Sequence, residues 1–439
     1  MNDVKIKYIK TSALKAYAKN AKNHPEKQIQ QIAESIKEFG FNNPILIDEN
    51  NEIIAGHGRF EAAKIMQLDT VPAIRLSHLN EAQKRAYRLA DNKISENGGW
   101  NTDLLHLEIS ELETICNDFD ITITGFEDVE IDVMNNPLEK KSADKKLNQI
   151  PYIPENEIIS KIGDIWIMGN HRIICGNSLQ PKTFQKLIGD KVADMILQDP
   201  PYNVKISGHV CNSGSIKHKE FAMASGEMKS DEFRKFLSSN FALCEQYLKD
   251  GGLSYNFMDW RHMGEIMTAG NETYTNLQNM CVWVKSSGGM GSLYRSQHEL
   301  CFIFKKGKES HTNNVELGKN GRYRTNVWHY AGVNSFGQHK NDIKLHPTVK
   351  PVEMLRDAIL DVTKRGDIIL DSFLGSGSTL IASEKSGRIC YGIEFEPLYI
   401  DTTIRRFKEL FGIDAIRKSD GKTYPELLSE KLSAQEVSE

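Results

Sequence analysis

The most restrictive feature of this sequence is an alternation of strand-like and helix-like segments between residues 158 and 420. Short apolar runs follow one another with stretches of helical periodicity between them. Strands are predicted at 173–175, 193–198, 252–257, 280–284, 299–304, 368–371 and 389–393, and helices near 181–189, at 231–249 and after 377. This alternation is typical of an α/β fold with a doubly wound, mostly parallel sheet.

A chain of 439 residues is too long for a single ordinary core and predicts two or three domains. Residues 1–136 predict a small α+β unit, since an amphipathic helix ending near Gly40 precedes strand-like and helix-like segments. Its strands are predicted at 44–47, 52–55 and 71–76, and its later helices from about Arg59, at 80–94 and at 103–118. Charge and three prolines mark 137–157 as a linker. A second domain is predicted at 158–420, and residues 421–439 are predicted to form a polar tail.

Charge is unevenly distributed in this weakly acidic chain of net charge -4. Residues 285–350 contain eleven Lys and Arg against four acids, which is either a nucleic-acid surface or a solvated loop. The seven cysteines form no C-x-x-C pair, so neither a disulfide framework nor a metal site is indicated. No apolar run reaches the about 18 residues of a membrane span, and we expect a cytoplasmic protein without membrane partners.

The stretch "VADMILQDPPY" runs an apolar strand directly into Asp199, Pro200, Pro201 and Tyr202. In an open α/β sheet, ligands bind outside the carboxyl ends of the strands, where these four residues fall. Asp199 can accept a hydrogen bond from a planar substrate, the two prolines stiffen the corner, and Tyr202 offers a flat face for stacking. A plain proline turn is the alternative. The four residues predict a catalytic corner.

A second constellation, "GDIILDSFLGSGSTLIASEKSGRICYGIEFEP", combines a glycine loop with a downstream acid. The strand ends at Asp371, and the loop with Gly375 and Gly377 permits close approach of a ligand to the backbone. The pattern is neither a Walker loop nor a complete dinucleotide motif. Glu394 follows at the spacing where a carboxylate reaches ribose hydroxyls. These features predict a nucleoside-bearing cofactor without a large phosphate cluster.

The C-terminal two thirds resembles the amino-group DNA methyltransferases that use S-adenosyl-L-methionine, which have a Rossmann-like sheet. The chain has the family's catalytic motif as "DPPY" at 199, its cofactor loop as "FLGSG" at 373, and "HPTVKP" at 346. The catalytic motif comes first, as in the permuted β class, which places target recognition within roughly 305–345. "GDIWIMGNHRIICGNS" also resembles the family's entry segment, although many members carry an acid where Asn177 stands.

The resemblance implies methyl transfer, without a metal, to the exocyclic nitrogen of a base rotated out of the duplex. It implies cofactor contacts at Asn177, Thr348, Lys350, Asp371, Phe373, Gly375, Gly377, Ser378, Thr379, Glu394 and Phe395. Double-stranded DNA is the expected partner, and the predicted DNA contacts are Lys205, Arg295, Lys319, Arg322, Arg324 and Arg59. A mobile loop that closes on DNA and a merely solvated loop both fit the basic residues Lys205, Lys217, His218 and Lys219.

Residues 5–120 resemble a ParB-like domain, on the segments "IIAGHGRFEAAK" and "LADNKI". Gly56 and Gly58 permit a tight turn into a helix, and Arg59 is placed to meet a phosphate. His57 stands where partition-type ParB proteins carry a glutamate, which argues against nucleotide hydrolysis. DNA or nucleotide contact, a structural turn and nuclease activity all remain open. Such fusions resemble proteins of phages and mobile elements, whose methylation protects DNA from restriction.

Taken together, these features favour an adenine-N6 DNA methyltransferase. N4-cytosine methylation uses the same amino chemistry, and the initial Asp199 of the motif tilts the prediction toward adenine. A DNA-binding or partition protein without turnover is the alternative outside enzymes. A homodimer and a cognate restriction enzyme are left open as further partners.

Overall fold

The computed structural model describes residues 5–115, 121–135, 145–204, 226–288, 293–315, 317, 322–332 and 349–436. The chain divides into two compact units, residues 1–135 and 136–439. Across the described residues, no helix is long and apolar enough to cross a membrane. The five cysteines described are free and buried.

The N-terminal unit is built on a four-stranded sheet in the order β1-β4-β2-β3. Its strands are β1 (Ile6–Lys10), β2 (Ile45–Ile47), β3 (Ile53–Ala55) and β4 (Thr70–Arg75). Its helices are α1 (Glu26–Phe39), α2 (His57–Ile65), α3 (Glu81–Glu96), α4 (Thr102–Ile115) and α5 (Asp128–Asn135). Strand β1 was not expected from the sequence because it is an edge strand with mostly exposed side chains, held by its backbone pairing with β4.

Helix α2 begins two residues before the predicted position at Arg59. Gly56 precedes it in the left-handed conformation, with φ of 102°, which turns the chain sharply out of β3. Phe60 and Ala63 of α2 pack into the same buried cluster as Ile45, Ile53 and Val71 of the sheet. The apolar face of one short helix thus closes the core of this unit.

The C-terminal unit is built on a ten-stranded sheet in the order β11-β9-β10-β8-β7-β12-β13-β6-β5-β14. Its strands are β5 (Ile165–Met168), β6 (His171–Cys175), β7 (Ala193–Gln198), β8 (Leu248–Met258), β9 (Asn276–Val284), β10 (His298–Lys305), β11 (Val327–His329), β12 (Ile368–Asp371), β13 (Ile389–Glu394) and β14 (Ile416–Arg417). Its helices are α6 (Pro181–Ile188), α7 (Ser230–Gln246), α8 (Met263–Thr273), α9 (Val352–Val362), α10 (Ser378–Glu384), α11 (Pro397–Phe411) and α12 (Tyr424–Glu436).

The five central strands, β8-β7-β12-β13-β6, are parallel, which confirms the predicted α/β fold. Antiparallel pairs join β10 to β8 and β9, and β5 to β6 and β14, so the complete sheet is mixed. Both faces of β7 are buried: Met195 lies in one core cluster and Ile196 in the other. Burial on two faces explains the uninterrupted apolar run that predicted this strand.

Two segments expected to be irregular are part of this unit's core. The expected polar tail contains helix α12, whose Tyr424 and Leu427 are buried in the cluster around Trp166. In the expected linker, Leu147 is buried, and the Asn148 side chain accepts a 3.1 Å hydrogen bond from the backbone N–H of Val352. Few apolar residues in a polar context are enough to dock each segment, which composition alone does not reveal.

Candidate active site

The corner predicted to be catalytic lies where β7 ends at Gln198. The Tyr202 hydroxyl donates a 2.7 Å hydrogen bond to Oδ1 of Asp199. The Asn203 side chain donates a hydrogen bond to the carbonyl of Met228 and accepts hydrogen bonds from the backbone N–H groups of Gly226 and Met228. These bonds hold the corner against the segment before α7. Residues 205–225, which include the predicted DNA contact Lys205 and the basic group 217–219, lie outside the described residues.

A partly buried ionic cluster surrounds Asp199. The Lys350 ammonium lies 2.5 Å from Asp199 Oδ2 and 3.1 Å from Glu299 Oε2. Lys285 in turn lies 2.5 Å from Glu299 Oε1, and the Tyr202 hydroxyl is 3.0 Å from Glu299 Oε2. Lys350 was predicted to contact the cofactor, and the structure pairs its ammonium group with the catalytic corner. Glu299 and Lys285 were missed because only the β9–β10 pairing brings them here.

Burial and charge act in opposite directions on this cluster. Burial raises the pKa of Asp199, and the Lys350 ammonium opposes that rise. Burial alone would also raise the pKa of Glu299, but ion pairs with Lys350 and Lys285 bring it below its usual range, to about 2. Burial raises the pKa of the Tyr202 hydroxyl, which therefore stays a donor.

The glycine loop lies at the same edge of the sheet, because β12 and β7 are parallel neighbours. Asp371 ends β12, is buried, and accepts a 2.9 Å hydrogen bond from the backbone N–H of Phe373. Glu394 ends the next strand, β13, and accepts 2.8 Å hydrogen bonds from the N–H groups of Gly375 and Glu396. Burial raises the pKa of both carboxyl groups to about 7.

Two glycines of the loop hold positive φ angles, 56° at Gly375 and 85° at Gly377. A Cβ atom on Gly377 would lie 2.6 Å from Cγ2 of Thr403, so no side chain fits there without displacement. Arg406, which the sequence did not single out, is buried behind the loop and donates a 2.9 Å hydrogen bond to the carbonyl of Ser376. The backbone of the loop is thereby held close to the strand edge.

A buried polar network joins the two corners. The Ser372 hydroxyl donates a 2.5 Å hydrogen bond to Oε1 of Gln198, the residue before Asp199. The Asn240 amide of α7 donates to Ser372 Oγ and to the carbonyl of Ser178. The ends of β7 and β12 and the turn after β6 are therefore positioned by one set of hydrogen bonds.

The remaining predicted cofactor residues lie around this edge. The Asn177 side chain accepts a 2.8 Å hydrogen bond from the N–H of Leu179, and Gly176 donates to the carbonyl of Glu394. Ser378 and Thr379 begin α10 and are buried, whereas Phe395 is partly exposed. Thr348 lies outside the described residues. The structure thus places the Asn177 turn beside the end of β13.

Two of the predicted DNA contacts are instead structural. Arg322 is 1% exposed and donates to Asp361 at 2.7 Å, while Arg324 lies 2.7 Å from the same carboxylate and 3.4 Å from Asp357. Their guanidinium groups neutralise two acids of α9 and are not presented to a phosphate. Arg295 is exposed, and Lys319 lies outside the described residues. Of the recognition segment predicted at 305–345, the structure describes 305–315, 317 and 322–332.

In the N-terminal unit, the turn at Gly56 is held by His57, whose Nε2 accepts a 3.3 Å hydrogen bond from the N–H of Tyr17. Burial lowers the pKa of His57 to about 4, so the ring is neutral near pH 7. The guanidinium of Arg59 is partly buried beside Gly56. A separate cavity of about 380 Å³ has five basic side chains in its wall: Lys19, Lys22, Arg85, Arg88 and Lys93.

In the described part of the chain, no group of three or more His, Cys, Asp or Glu side chains is arranged to hold a metal ion. The carboxylates that the structure places in hydrogen bonds or ion pairs include those of the candidate site. In the active-site region these are the Asp199 cluster and the pair Asp371 and Glu394.

Comparison with known protein families assigns three regions. A DNA methylase model matches residues 193–405, a ParB N-terminal domain model matches 1–93, and a ParB-methyltransferase HTH domain model matches 103–161. The first two agree with the resemblances stated from the sequence. The third overlaps α4 and was not expected from the sequence, in which 103–118 predicted only a helix.

Individual relatives match different parts of the chain. The ParB-like nuclease domain-containing protein YnaK of Escherichia coli K12 is 51% identical over 82 residues, 19% of this chain and 94% of YnaK. The DNA adenine methyltransferase YhdJ of the same organism is 28% identical over 246 residues, 50% of this chain and 78% of YhdJ. A crystal structure of the M1.HpyAVI–SAM complex is 22% identical, with a TM-score of 0.40, covering 54% of this chain and 98% of that one.

The methylase match includes both corners of the site, since 193–405 spans Asp199, the glycine loop and Glu394. Membership in this family confirms the expected cofactor, S-adenosyl-L-methionine. DNA is correspondingly the substrate of the methylase domain. Residues 193–405 therefore form a DNA methylase domain of the N6/N4 amino-group family, and a ParB N-terminal domain precedes it in the chain at residues 1–93.

Proposed function

We propose that this protein transfers a methyl group from S-adenosyl-L-methionine to the N6 amino group of adenine in double-stranded DNA. The observation that carries the proposal is the carboxylate of Asp199 at the end of β7, beside the glycine loop that follows β12. The initial Asp of the motif favours adenine, and the relative YhdJ is a DNA adenine methyltransferase.

Asp199 and Pro200 act on the acceptor amine. The amino nitrogen is a weak nucleophile because its lone pair is delocalised into the base. Hydrogen bonds from its N–H groups to the Asp199 carboxylate and the Pro200 carbonyl favour a more tetrahedral nitrogen with a localised lone pair. Asp199 can also accept the proton that this nitrogen must lose. Tyr202 is placed to stack on the extruded base.

The residues around the glycine loop fit the methyl donor. S-adenosyl-L-methionine, when bound, supplies an activated methyl group on a sulfonium cation. Glu394 would accept hydrogen bonds from its ribose hydroxyls, and Asp371 supplies a second buried carboxylate at the same edge. The backbone around Gly375 and Gly377 and the ring of Phe373 would line the donor pocket, with Asn177, Ser378, Thr379 and Phe395 at its margin. Orientation of two reactants supplies much of the acceleration.

Incubation with radiolabelled S-adenosyl-L-methionine and duplex DNA, followed by digestion to nucleosides, tests the proposal. We expect label in N6-methyladenosine. Label in N4-methylcytosine would establish the alternative acceptor, which uses the same amino chemistry. DNA binding without any label would favour the partition-type alternative.

Asp199→Asn provides the matched variant for this experiment. It should reduce turnover at least about 100-fold, because a neutral amide is a weaker hydrogen-bond acceptor than a carboxylate and cannot take up the proton of the amine. Binding of S-adenosyl-L-methionine should stay within a few fold. Asp190→Asn changes an exposed carboxylate in the turn after α6 and should leave both quantities unchanged. Loss of cofactor binding together with turnover in Asp199→Asn would contradict the assigned role.

Several finer expectations stand as proposals beside this function. They are a recognition segment within 305–345, contact of Arg59 and Arg295 with DNA, a homodimer, and a cognate restriction enzyme. Sequencing the methylated genomic DNA of cells that make the protein would identify the recognition site.

A further inference from the structure

The ammonium group of Lys350 is enclosed by aromatic rings and carboxylates. It lies 5.3 Å from the ring centroid of Tyr202, 5.2 Å from that of Phe257 and 6.0 Å from that of Trp283. Its side chain is 5% exposed, and its two carboxylate neighbours are Asp199 and Glu299. A buried cation in such a box is stabilised in one position by the ring faces and by its anions.

The cluster is balanced in charge. Two carboxylates, Asp199 and Glu299, are matched by two ammonium groups, Lys350 and Lys285. The ion pairs form a chain in which Lys285 contacts Glu299, Glu299 contacts Lys350, and Lys350 contacts Asp199. Removal of Lys350 or Glu299, the two least exposed members, leaves an unbalanced charge in a poorly solvated place, which is costly. These ion pairs run from Lys285, the residue after β9, through Glu299 of β10 to Lys350 in the segment before α9, and end at the catalytic corner.

Asp199 needs this support because the proposed chemistry requires it to be an acceptor. A buried carboxyl group tends to keep its proton, and a protonated carboxyl presents a donor where the substrate amine also presents a donor. Apart from Lys350, the Tyr202 hydroxyl favours the ionised form of Asp199 through its hydrogen bond, and the remaining titratable groups that face Asp199 do not. Glu299 from β10 and Asp371 from β12 are acids that repel its charge, and the buried thiol of Cys301 on β10 stays neutral.

We propose that Lys350 is a positioning residue that keeps Asp199 ionised for the acceptor amine, and that Glu299, tethered by Lys285, holds the ammonium in place. The inference rests on the proposed transfer to an exocyclic amino group. Within the described residues, Lys350 is the cation that contacts Asp199. Both carboxylate oxygens of Asp199 are engaged before substrate binds, Oδ2 by Lys350 and Oδ1 by Tyr202, which fixes the plane in which the amine is received.

Lys350→Met tests the assignment in the full-length protein, because Met keeps the length of the side chain and suits the aromatic box. We expect the acid limb of the kcat–pH profile to move up by at least about one pH unit, with kcat reduced at least about tenfold at pH 7 and recovering toward alkaline pH. Affinity for S-adenosyl-L-methionine, measured by calorimetry, should stay within about twofold.

Glu299→Gln is the matched variant with an opposite expectation. The Gln carbonyl can still accept from Lys350, while the negative charge that repels Asp199 is gone. The acid limb should therefore move to lower pH. Lys285→Met, which removes a charge one step further from Asp199, should shift the limb less than Lys350→Met does.

Two results would overturn the inference. An unshifted limb in Lys350→Met, with loss of cofactor affinity, would make Lys350 a cofactor contact. If the acid limb of the kcat–pH profile moves to higher pH by the same amount in Lys350→Met and Glu299→Gln, the cluster has only a structural role.

A second readout separates this inference from the proposed function. At pH 7, the infrared difference spectrum of Lys350→Met minus wild type should show the carbonyl stretch of one additional protonated carboxyl, above the bands that Asp371 and Glu394 give in every variant. The difference spectrum of Lys350→Met/Asp199→Asn minus wild type should lack this additional band. Its absence in Lys350→Met overturns the inference even if the enzyme methylates DNA. If the wild type transfers no label to DNA, the proposed function fails, whereas the infrared result still decides the state of Asp199.

Discussion

Lys350, Arg322 and Arg295 contribute equally to the basic stretch at 285–350, yet their surroundings separate them. Lys350 is paired with Asp199, Arg322 is buried against Asp361, and Arg295 is exposed. A charge that has a buried partner is not available to a phosphate, whereas an exposed one is. Of the two residues predicted to contact DNA, Arg322 has a buried partner, whereas Arg295 is exposed and stays a predicted DNA contact.

The carboxyl groups of Asp371 and Glu394 give the free protein a pH-dependent stability. Burial raises the pKa of each to about 7, compared with 3.8 and 4.5 in solvent. The folded chain therefore holds these protons above the pH at which the unfolded chain releases them. Their contribution to stability is fully present below about pH 4 and is lost as pH rises to about 7.

Glu394→Gln should remove its share of this dependence. Urea denaturation at intervals from pH 5 to pH 8 measures the free energy of unfolding of both proteins. The stability of the wild type relative to the variant should fall with pH, at up to about 1.4 kcal/mol per unit, until about pH 7. A constant difference across this range would show that Glu394 is ionised in the folded protein.

Among the structural elements, we expect the glycine loop to bind the cofactor through its backbone conformation more than through its side chains. Gly377→Ala should weaken binding of S-adenosyl-L-methionine at least about tenfold, because the methyl group meets Thr403 and a φ of 85° is strained for alanine. Titration calorimetry measures the affinity. Gly412→Ala is the control, since its φ is 73° but its Cβ would enter open space. Equal loss of affinity in both variants would mean that strain alone, and not the close approach, is responsible.

Arg322 joins the segment before β11 to α9, so its removal should act on stability. Arg322→Met should lower the free energy of unfolding by about 3 kcal/mol, since Asp361 loses a buried partner. DNA affinity of the folded variant should not change. Arg295→Met should change the free energy of unfolding by less than about 0.5 kcal/mol. It should reduce the slope of the logarithm of DNA affinity against the logarithm of salt concentration by about one, because one phosphate contact is lost. Denaturant melts and DNA titrations at several salt concentrations distinguish these outcomes, and a loss of DNA affinity in Arg322→Met would restore the original prediction for that residue.

At the scale of the whole molecule, we expect the C-terminal unit to bind the cofactor by itself and the N-terminal unit to contribute part of the DNA affinity. A fragment of residues 136–439 should bind S-adenosyl-L-methionine within about threefold of the full chain, because the described cofactor-side residues belong to that unit. Its affinity for duplex DNA should fall at least about tenfold, because linked binding units reinforce one another. Calorimetry and fluorescence anisotropy measure the two affinities. Equal DNA affinity of fragment and full chain would assign the ParB-type unit another role.

The sequence by itself determined the α/β fold, the order of the motifs, and the residues at the ends of β7, β12 and β13. Strand and helix periodicities are local, and two-sided burial of a parallel strand leaves an apolar run that can be read directly. The edge strand β1 and the docked segments around Leu147 and Tyr424 escaped prediction because their own residues carry a weak apolar signal.

Only the tertiary structure decided which charges meet. Lys350 is 151 residues from Asp199 in the chain, and Arg322 is 39 residues from Asp361. No local pattern encodes such a pair, because a basic residue before a carboxylate-bearing helix looks the same whether it is solvated or buried. The packing of β9, β10 and the segment before α9 against the end of β7 turns separate charged residues into one balanced cluster, because burial makes each charge require its partner.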